Sequence, residues 1–171
     1  RSMDGGDTWE PMTKKGLPGG EARPVGKNAV ALCYSQPNVV YALFEIDSPA
    51  LYRSDDNGET WTLMSRNHTM AERAPYYTRI GVAPDNPDEL YFLGVRFSKS
   101  VDAGKTLVKR PPRMGGDTHD IWIDPTDADR IMVAHDGCAS ITLNRGKNTE
   151  NVKLPIAQMY HVADDNQIPY N

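Results

Sequence analysis

An eight-residue pattern recurs along the chain and constrains its fold more strongly than any other feature of the sequence. In one-letter code the pattern is S-x-D-x-G-x-T-W, and we call each copy a box. Clear boxes begin at Ser2, Ser54 and Ser100, and a degenerate one begins at Ser140. The third box has Leu107 in the tryptophan position, and the fourth lacks both the aspartate and the Thr-Trp pair. Three copies in one register indicate a chain built from repeated structural units.

The residue types of the box predict a self-contained hairpin. An aspartate in a tight turn accepts hydrogen bonds from the amides that follow it. The glycine two residues later adopts backbone conformations that are costly for other residues. Threonine and tryptophan then re-enter a strand, where the indole covers one side of the turn. We therefore interpret the boxes as structural rather than catalytic. The residues assigned to this role are Ser2, Asp4, Gly6, Thr8, Trp9, Ser54, Asp56, Gly58, Thr60, Trp61, Ser100, Asp102, Gly104 and Thr106.

A second repeat runs in phase with the box. Residues 37–41, 87–91 and 128–132 each form a turn that enters an apolar strand, and each precedes a box serine. Another, almost continuously apolar segment lies before each turn, which predicts a strand buried on both faces. Each unit thus contains four strands, A to D, with the box between strands C and D. The box serines are 40 to 52 residues apart, and units of this length are typical of propeller blades.

We therefore predict an all-β fold, a β-propeller of four-stranded antiparallel blades. The predicted blades cover 29–66, 77–110 and 119–154, with the end of an earlier blade at 1–13 and the start of a later one at 159–171. The predicted strands are 29–35, 39–46, 50–54 and 60–66 in the first blade, 77–83, 89–95, 96–100 and 106–110 in the second, and 119–124, 130–135, 138–143 and 151–154 in the third. Three whole blades make an incomplete arc, because a closed ring needs about four or more. We expect the remaining blades, from the same polypeptide or another chain, to be partners of this segment.

The composition excludes several classes of protein. With 14 glycines and 13 prolines among 171 residues, many short strands are favoured over helices. The formal net charge is −4 and basic residues form no long cluster, so we expect no nucleic-acid partner. No apolar run approaches the roughly 20 residues that span a membrane. The two cysteines, Cys33 and Cys138, are either a disulfide or two free thiols.

The strand directions place the long, irregular loops at the end of the propeller opposite the boxes. At that end, Asp117, His119 and Asp120 enter strand A of the third blade. His135 and Asp136 leave strand B of the same blade, and antiparallel pairing brings the two groups together near the central channel. Imidazoles with carboxylates can bind a metal or act as acid and base. The competing interpretation is structural: Asp117 caps a turn, His119 packs and Asp136 begins a turn. We predict no metal and no cofactor.

A second group of polar and aromatic side chains lies around the loop that enters the second blade. Its members are Arg66, His68, Arg73, Tyr76, Tyr77 and Arg79. Arginine beside aromatic rings can hold a carboxylate or stack on a sugar. A solvated, charged loop is the alternative. The candidate binding residues of the whole chain are His119, His135, Asp136, Arg73, Tyr76 and Tyr77, and the weaker catalytic candidates are Asp117 and Asp120.

With these motifs the chain resembles the Asp-box (BNR) propeller superfamily, and within it the sortilin-type and glycoside-hydrolase-like repeat proteins. The resemblance is carried by the boxes and by the segments GDTHDIWIDP at 116–125, HDG at 135–137 and YHVADDNQIPY at 160–170. It implies the propeller fold. It leaves the activity open, because the superfamily includes sialidases, xyloglucan hydrolases, sorting receptors and photosystem assembly factors. Sialidases often open their first blade with Arg-Ile-Pro, whereas Arg79 is followed here by Ile80 and Gly81, so we do not predict a sialidase.

Two functions fit the sequence. The first is a noncatalytic propeller module that binds a protein or glycan partner or serves assembly, in an extracellular or periplasmic location. The second is a glycoside hydrolase of the xyloglucan-cleaving type, which uses paired carboxylates about 5–10 Å apart. Asp117 or Asp120 would supply one carboxylate, and a blade outside this chain would supply the other. We favour the first function because the sequence lacks a convincing catalytic set.

Overall fold

The computed structural model describes residues 1–19, 24–108 and 112–155, and its regular structure consists mainly of three antiparallel sheets. Each sheet is one blade, with strands that neighbour one another in chain order. Blade 1 contains β1 (Asn28–Leu32), β2 (Val40–Phe44), β3 (Ala50–Ser54) and β4 (Thr62–Ser65); blade 2 contains β5 (Arg79–Ala83), β6 (Asn86–Leu93) and β7 (Ser98–Ser100); blade 3 contains β8 (Thr118–Asp124), β9 (Asp127–His135), β10 (Cys138–Thr142) and β11 (Glu150–Val152). Short 3₁₀ helices cover Met12–Lys15 and His68–Ala71. In the described ranges, no helix has the length and apolar character needed to cross a membrane.

Strand B begins earlier than predicted in blades 2 and 3. β6 begins at Asn86 rather than at residue 89, and β9 begins at Asp127 rather than at residue 130. The cause is a tight turn, because Ala83 pairs with Asn86 and Asp124 pairs with Asp127. Only two residues therefore separate strand A from strand B. The turn-forming residues that follow Asn86 in the sequence lie inside the strand, so the prediction placed its start too late.

The outermost strands are less regular than predicted. Within the described residues blade 2 has three strands, and the expected fourth, 106–110, begins with one ladder bond from the Val108 amide to the Lys99 carbonyl at 2.8 Å. Residues 109–111 lie outside the described part of the chain. Residues 1–13 form no strand, although the Glu10 amide donates to the Arg1 carbonyl at 2.7 Å across the first hairpin. The predicted start of a later blade, 159–171, lies outside the described residues.

The three clear boxes fold into one hydrogen-bonded turn, shown here by the second. Ser54 Oγ donates to Asp56 Oδ1 at 2.8 Å and accepts from the Gly58 amide at 2.8 Å. The Thr60 amide donates to Asp56 Oδ1 at 2.8 Å, and the Thr60 hydroxyl donates to Oδ2 at 2.6 Å. The first and third boxes repeat these contacts. Both oxygens of each box carboxylate are therefore engaged inside their own turn.

The fourth box begins two residues later than the sequence reading placed it. Thr142, not Ser140, takes the serine role, because the Thr142 hydroxyl accepts from the Gly146 amide at 2.9 Å. Asn144 takes the aspartate role, and its Oδ1 accepts from the Asn148 amide at 2.9 Å and from the Thr142 hydroxyl at 3.0 Å. The turn thus keeps its hydroxyl and its acceptor without a carboxylate.

Each box lies against the turn between strands A and B of its own blade. The residue before the box glycine has a left-handed backbone, with φ of 59°, 62° and 55° in blades 1, 2 and 3. Its amide donates to a carbonyl in the A–B turn of blade 1 or in the first residues of strand B in blades 2 and 3. The distances are 3.0, 2.9 and 3.1 Å, and the pairs are Asn57 with Asn38, Ala103 with Asp88, and Arg145 with Asp129. The boxes and the A–B turns therefore share one end of the arc, which we call the box end. The loops between strands B and C and the crossovers between blades lie at the other, which we call the loop end.

Neighbouring blades pack face to face through two apolar cores. Between blades 1 and 2 the largest fully buried side chains are Tyr41, Leu43, Leu51, Met70, Leu90 and Phe92. Between blades 2 and 3 the buried side chains are Ala83, Tyr91, Leu93, Phe97, Met114, Ile131 and Val133. Alternate residues of β6 thus enter opposite cores, as the period of two in a β-strand requires. Blade 2 is buried on both faces.

Within the described residues the outer face of blade 3 and that of strand β1 in blade 1 remain open, which corrects the prediction that every strand A is buried on both faces. The outer face of β2 and β3 is covered, because Ala42, Phe44, Ala50 and Tyr52 form a third core against Leu17, Val25, Ile46 and Trp61. On β1, Ala29 and Ala31 pack into the core beside blade 2, whereas Val30 is 67% exposed. On β8, Trp122 is 52% exposed and lies on the face opposite the core, and Met132 of β9 accompanies it at 42%. An open apolar face of this kind marks an interaction surface or an aggregation liability.

We expect the purified chain to associate rather than to remain a 19.0 kDa monomer. Light scattering coupled to size-exclusion chromatography measures the mass directly. Trp122→Lys with Met132→Lys should shift the mass towards that of the monomer, because two charges on the open face oppose its burial. Met3→Lys is the control, since Met3 is 84% exposed in the first box. A well-behaved wild-type monomer would contradict the expectation.

Candidate functional site

The two groups of candidate residues meet in one cluster at the loop end. The ring centroids of Tyr77 and His119 are 5.1 Å apart, so the crossover that enters blade 2 contacts the first strand of blade 3. The Arg73 guanidinium lies 5.0 Å from the centroid of the Tyr76 ring and 5.5 Å from that of Tyr77. Tyr77 is 4% exposed and Tyr76 is 65% exposed. The cluster therefore has a buried aromatic base and an open aromatic face held beneath a cation.

His119 and Asp136 form the polar side of the cluster. His119 Nε2 lies 2.7 Å from Asp136 Oδ1, and about half of each side chain is exposed. The Asp136 amide donates to the Asp117 carbonyl at 3.3 Å, which joins the B–C loop of blade 3 to the residue just before β8. This is the approach of residues 117–119 to residues 135–136 that antiparallel pairing predicts. The pair fixes the orientation of the imidazole ring at the surface.

Thr118 holds this arrangement in place from beneath. It is fully buried, its amide donates to the Gly94 carbonyl at 2.9 Å, and its hydroxyl accepts from the Gly94 amide at 3.0 Å. The Asp117 amide donates to the Val95 carbonyl at 3.1 Å. Blade 3 is thus bonded to the end of β6 in blade 2 at the point where the site begins. Thr118 is not among the residues predicted from the sequence. The only sequence signal for it is its position between the candidate residues Asp117 and His119.

Two residues of the site have a strained backbone. Asp117 and Arg73 are both at φ 49°, in the left-handed region that residues other than glycine, asparagine, aspartate and histidine seldom adopt. Such conformations cost about 1 kcal/mol or more each and persist where surrounding contacts hold them. Here the bonds from residues 117 and 118 to blade 2 supply those contacts. Arg73 Nη1 lies 3.9 Å from Asp117 Oδ1.

The interior of the cluster is electrostatically unbalanced. Burial raises the pKa of Tyr77, and the neighbouring Asp117 carboxylate raises it further, while Arg73 acts in the opposite direction. The Asp117 Oδ1 atom is buried and has no hydrogen-bond donor within the described residues. A buried acceptor without a donor costs free energy. The Arg73 guanidinium, 3.9 Å from this atom, offsets part of that cost.

The structure leaves His135 and Asp120 outside the cluster. His135 Nδ1 accepts from the Gly137 amide at 3.0 Å, so Nε2 carries the proton and donates to Ser140 Oγ at 3.1 Å. Ser140 is fully buried and donates in turn to Asn151 at 2.6 Å. Asp120 Oδ1 accepts from the amide of the next residue at 3.0 Å.

Among the described residues, the other members of the loop group form no hydrogen bond or ion pair with the cluster side chains. The Arg66 Nη1 atom donates to the Ser48 carbonyl at 3.4 Å, His68 begins a 3₁₀ helix, and Arg79 is exposed on β5. Within the described residues no three histidine, cysteine or acidic side chains come together in a way that would hold a metal ion. The cluster is thus suited to aromatic stacking and hydrogen bonding with a ligand.

Both cysteines are free thiols, Cys33 in the core and Cys138 at the start of β10. The Cys33 Sγ atom lies 3.3 Å from the Ala83 carbonyl, and Cys33 belongs to the core between blades 1 and 2. The sequence allowed either a disulfide or two free thiols, and the structure has two free thiols.

Comparisons with known proteins support the architecture. No protein-family model matches the chain, and no curated protein matches it. In structure it is similar to the GH74 enzyme of Niastella koreensis, with a TM-score of 0.55, 18% identity and coverage of 73% of this chain and 22% of that one. It is also similar to the GH74 xyloglucanase of Xanthomonas campestris, with a TM-score of 0.52, 14% identity and coverage of 71% and 22%. Its similarity to YCF48 from Cyanidioschyzon merolae is weaker. The TM-score is 0.47 at 18% identity, with coverage of 71% of this chain and 38% of that one.

The chain spans 22% of the length of each of these two GH74 enzymes, which are β-propeller proteins. At identities this low the similarity shows the fold alone. It agrees with the three antiparallel sheets and their face-to-face packing. The chain is an incomplete arc of a β-propeller.

Proposed function

We propose that the chain is a noncatalytic binding module of the Asp-box propeller superfamily, completed by further blades, whose loop-end cluster binds a glycan or protein partner. The observation that carries the proposal is the convergence of Arg73, Tyr76 and Tyr77 from one blade crossover with His119 and Asp136 from the next blade. An extracellular or periplasmic location is part of the proposal. The sortilin-type repeat proteins are the noncatalytic relatives that the sequence resembles.

Of the two ligand classes, the chemistry of the cluster favours a glycan. Tyr76 offers an exposed ring on which the apolar face of a sugar can stack, and Arg73 holds that ring from its other side. The exposed Asp136 carboxylate can accept hydrogen bonds from ligand hydroxyls. A protein partner would use the same ring and carboxylate through its own aromatic and cationic side chains.

We expect Tyr76→Ala to weaken the binding of xyloglucan oligosaccharides roughly tenfold, because a stacked aromatic ring contributes on the order of 1 kcal/mol. Isothermal titration calorimetry measures the affinity. Tyr34→Ala is the matched control, since Tyr34 is 67% exposed but lies at the box end beside the A–B turn of blade 1. An equal loss in both variants, or no loss in Tyr76→Ala, would refute the assignment of the site.

The alternative function is a glycoside hydrolase of the xyloglucan-cleaving type, with one of its paired carboxylates in this chain. It is favoured by one observation, the position of the Asp117 carboxylate beside Arg73 and the Tyr77 ring at the loop end, where it could face a second carboxylate across a cleft. Asp120 makes only a local contact. Release of new reducing ends during the same titration, abolished by Asp117→Asn, would establish this alternative over simple binding.

A further inference from the structure

A continuous cleft runs along the outer side of the seam between blades 2 and 3. It consists of two adjoining cavities of about 600 and 880 Å³, which share Pro112, Arg113 and Thr149 in their walls. The first cavity lies at the box end, against Gly146 of the fourth box. The second continues towards the loop end, against Phe97 of the B–C loop in blade 2. The cleft is thus elongated, and it is separate from the aromatic cluster described above.

The walls of this cleft are positively charged. No acidic side chain of the described residues lines either cavity, and five cationic side chains do. They are Arg96, Lys99, Arg113, Arg145 and Lys147. The equivalent cavity in the seam between blades 1 and 2, about 680 Å³, is lined by Arg53 and Lys105 together with three aspartates. A cavity at the seam is therefore a consequence of the repeated fold. Among the described blades, only the seam between blades 2 and 3 has a cavity whose charged side chains are all basic.

A buried carboxylate holds two of the cationic side chains in position. Glu89 is 6% exposed, and its oxygens lie 2.9 Å from Lys99 Nζ and 3.3 Å from Arg145 Nη1. Arg145 also pairs with Asp85 and Asp129, behind the lining of the cavity. These contacts fix Lys99 and Arg145, but they also neutralise most of their charge. The net positive charge of the cleft therefore depends on the remaining cationic side chains.

Arg113 and Lys147 carry that charge. Neither forms an ion pair with any acidic side chain in the described ranges, and both line the box-end cavity. Arg96 extends the positive lining towards the loop end, where it is 77% exposed and lies 3.9 Å from Glu72. A multivalent anion in the cleft would pair with Arg113 and Lys147 and would reach Arg96 towards the loop end.

We infer that this seam cleft binds an extended acidic glycan, a chain that bears sulfate or carboxylate groups. Its elongated form suits a linear polymer, and its charges are distributed from one end to the other. Nucleic acid is disfavoured, because single strands bind through exposed aromatic platforms. Among the described wall residues only Phe97 is aromatic, and it is 4% exposed. This site goes beyond the proposed function, since it shares no residue with the loop-end cluster.

The test uses dextran sulfate for the sulfate group, polygalacturonate for the carboxylate group and neutral dextran as the uncharged polymer. The 171-residue chain should bind at least one acidic polymer and not neutral dextran, with an affinity that falls as salt rises. Arg113→Gln with Lys147→Gln should weaken that binding about tenfold or more and flatten its salt dependence. The matched control is Arg66→Gln with Lys105→Gln, which removes the same two charges away from the cleft and should change the affinity less than twofold.

Three results would overturn the inference. One is equal weakening in the control variant, which would mean that net charge alone governs binding. The second is an affinity for single-stranded oligodeoxythymidine equal to that for the acidic polymers. The third is failure of the wild-type chain to bind either acidic polymer. Because both variant pairs change exposed or half-exposed side chains, unchanged thermal unfolding midpoints establish that they fold.

Discussion

Gly104→Ala should destabilise the chain by about 2–4 kcal/mol, the sum of a strained backbone and an overpacked core. Gly104 is buried in the third box at φ +80°, and a Cβ atom there would lie 2.1 Å from Leu51 Cδ2 and 3.3 Å from Leu90 Cδ1. Both leucines are fully buried in the core between blades 1 and 2. The box of blade 2 therefore approaches the neighbouring core so closely that a methyl group has no free space. Urea unfolding followed by circular dichroism measures the loss.

Gly5→Ala is the matched control for this prediction. Gly5 lies in the first box at φ +74°, nearly the same backbone conformation, but a Cβ atom there would have no neighbour within 4 Å. The control should therefore lose only the backbone contribution, about 1 kcal/mol. If the two substitutions cost the same, steric contact with Leu51 contributes nothing. A further check combines Gly104→Ala with Leu51→Ala. The double variant should lose less unfolding free energy than the sum of the losses in the two single variants.

The contrast between these two glycines shows how far the sequence predicts the fold. Both occupy the box, so the residue pattern indicates a turn at each. Gly104 is the box glycine and Gly5 stands one position before the glycine of its own box, but only the packing of one blade on the next gives Gly104 its close neighbours, and no local pattern encodes that packing. The start of the fourth box was misplaced for a related reason. The pattern specifies serine and aspartate. The turn itself requires only a hydroxyl group and an oxygen acceptor, which Thr142 and Asn144 supply.

The candidate site was predictable in part. Antiparallel pairing within one blade brings His119 to Asp136, and strand periodicity is sufficient to expect this. The contact of His119 with Tyr77 joins blade 3 to the loop that leads into blade 2. It depends on the bonds between Thr118 and Gly94, which join two blades and leave no periodic signal. His135 could not be separated from the site by sequence, because its direction is set by Gly137 and Ser140.

The box carboxylates should make the stability of the chain sensitive to acid. Hydrogen bonds from the Thr60 hydroxyl, the Thr60 amide and Ser54, in that order, lower the pKa of Asp56 to about 2. The pKa values of Asp4 and Asp102 are lowered by the equivalent donors. An unfolded aspartate has an ordinary pKa of about 3.9. A carboxyl group with a lower pKa in the folded chain contributes stability above the unfolded pKa and loses it as pH falls through the folded value.

We therefore expect the box carboxylates to change the thermal unfolding midpoint little between about pH 7 and pH 5. Their protonation should lower the midpoint between about pH 4 and pH 2. Asp56→Asn should reduce the size of that fall while keeping the turn, because Asn144 already serves as the acceptor in the fourth box. The control is Asp7→Asn, which removes an exposed carboxylate that accepts none of the hydrogen bonds of the first turn. Differential scanning calorimetry across this pH range measures the midpoints. An acid transition of the same size in Asp56→Asn as in the wild type would show that protonation of other groups, and not of this box carboxylate, unfolds the blades.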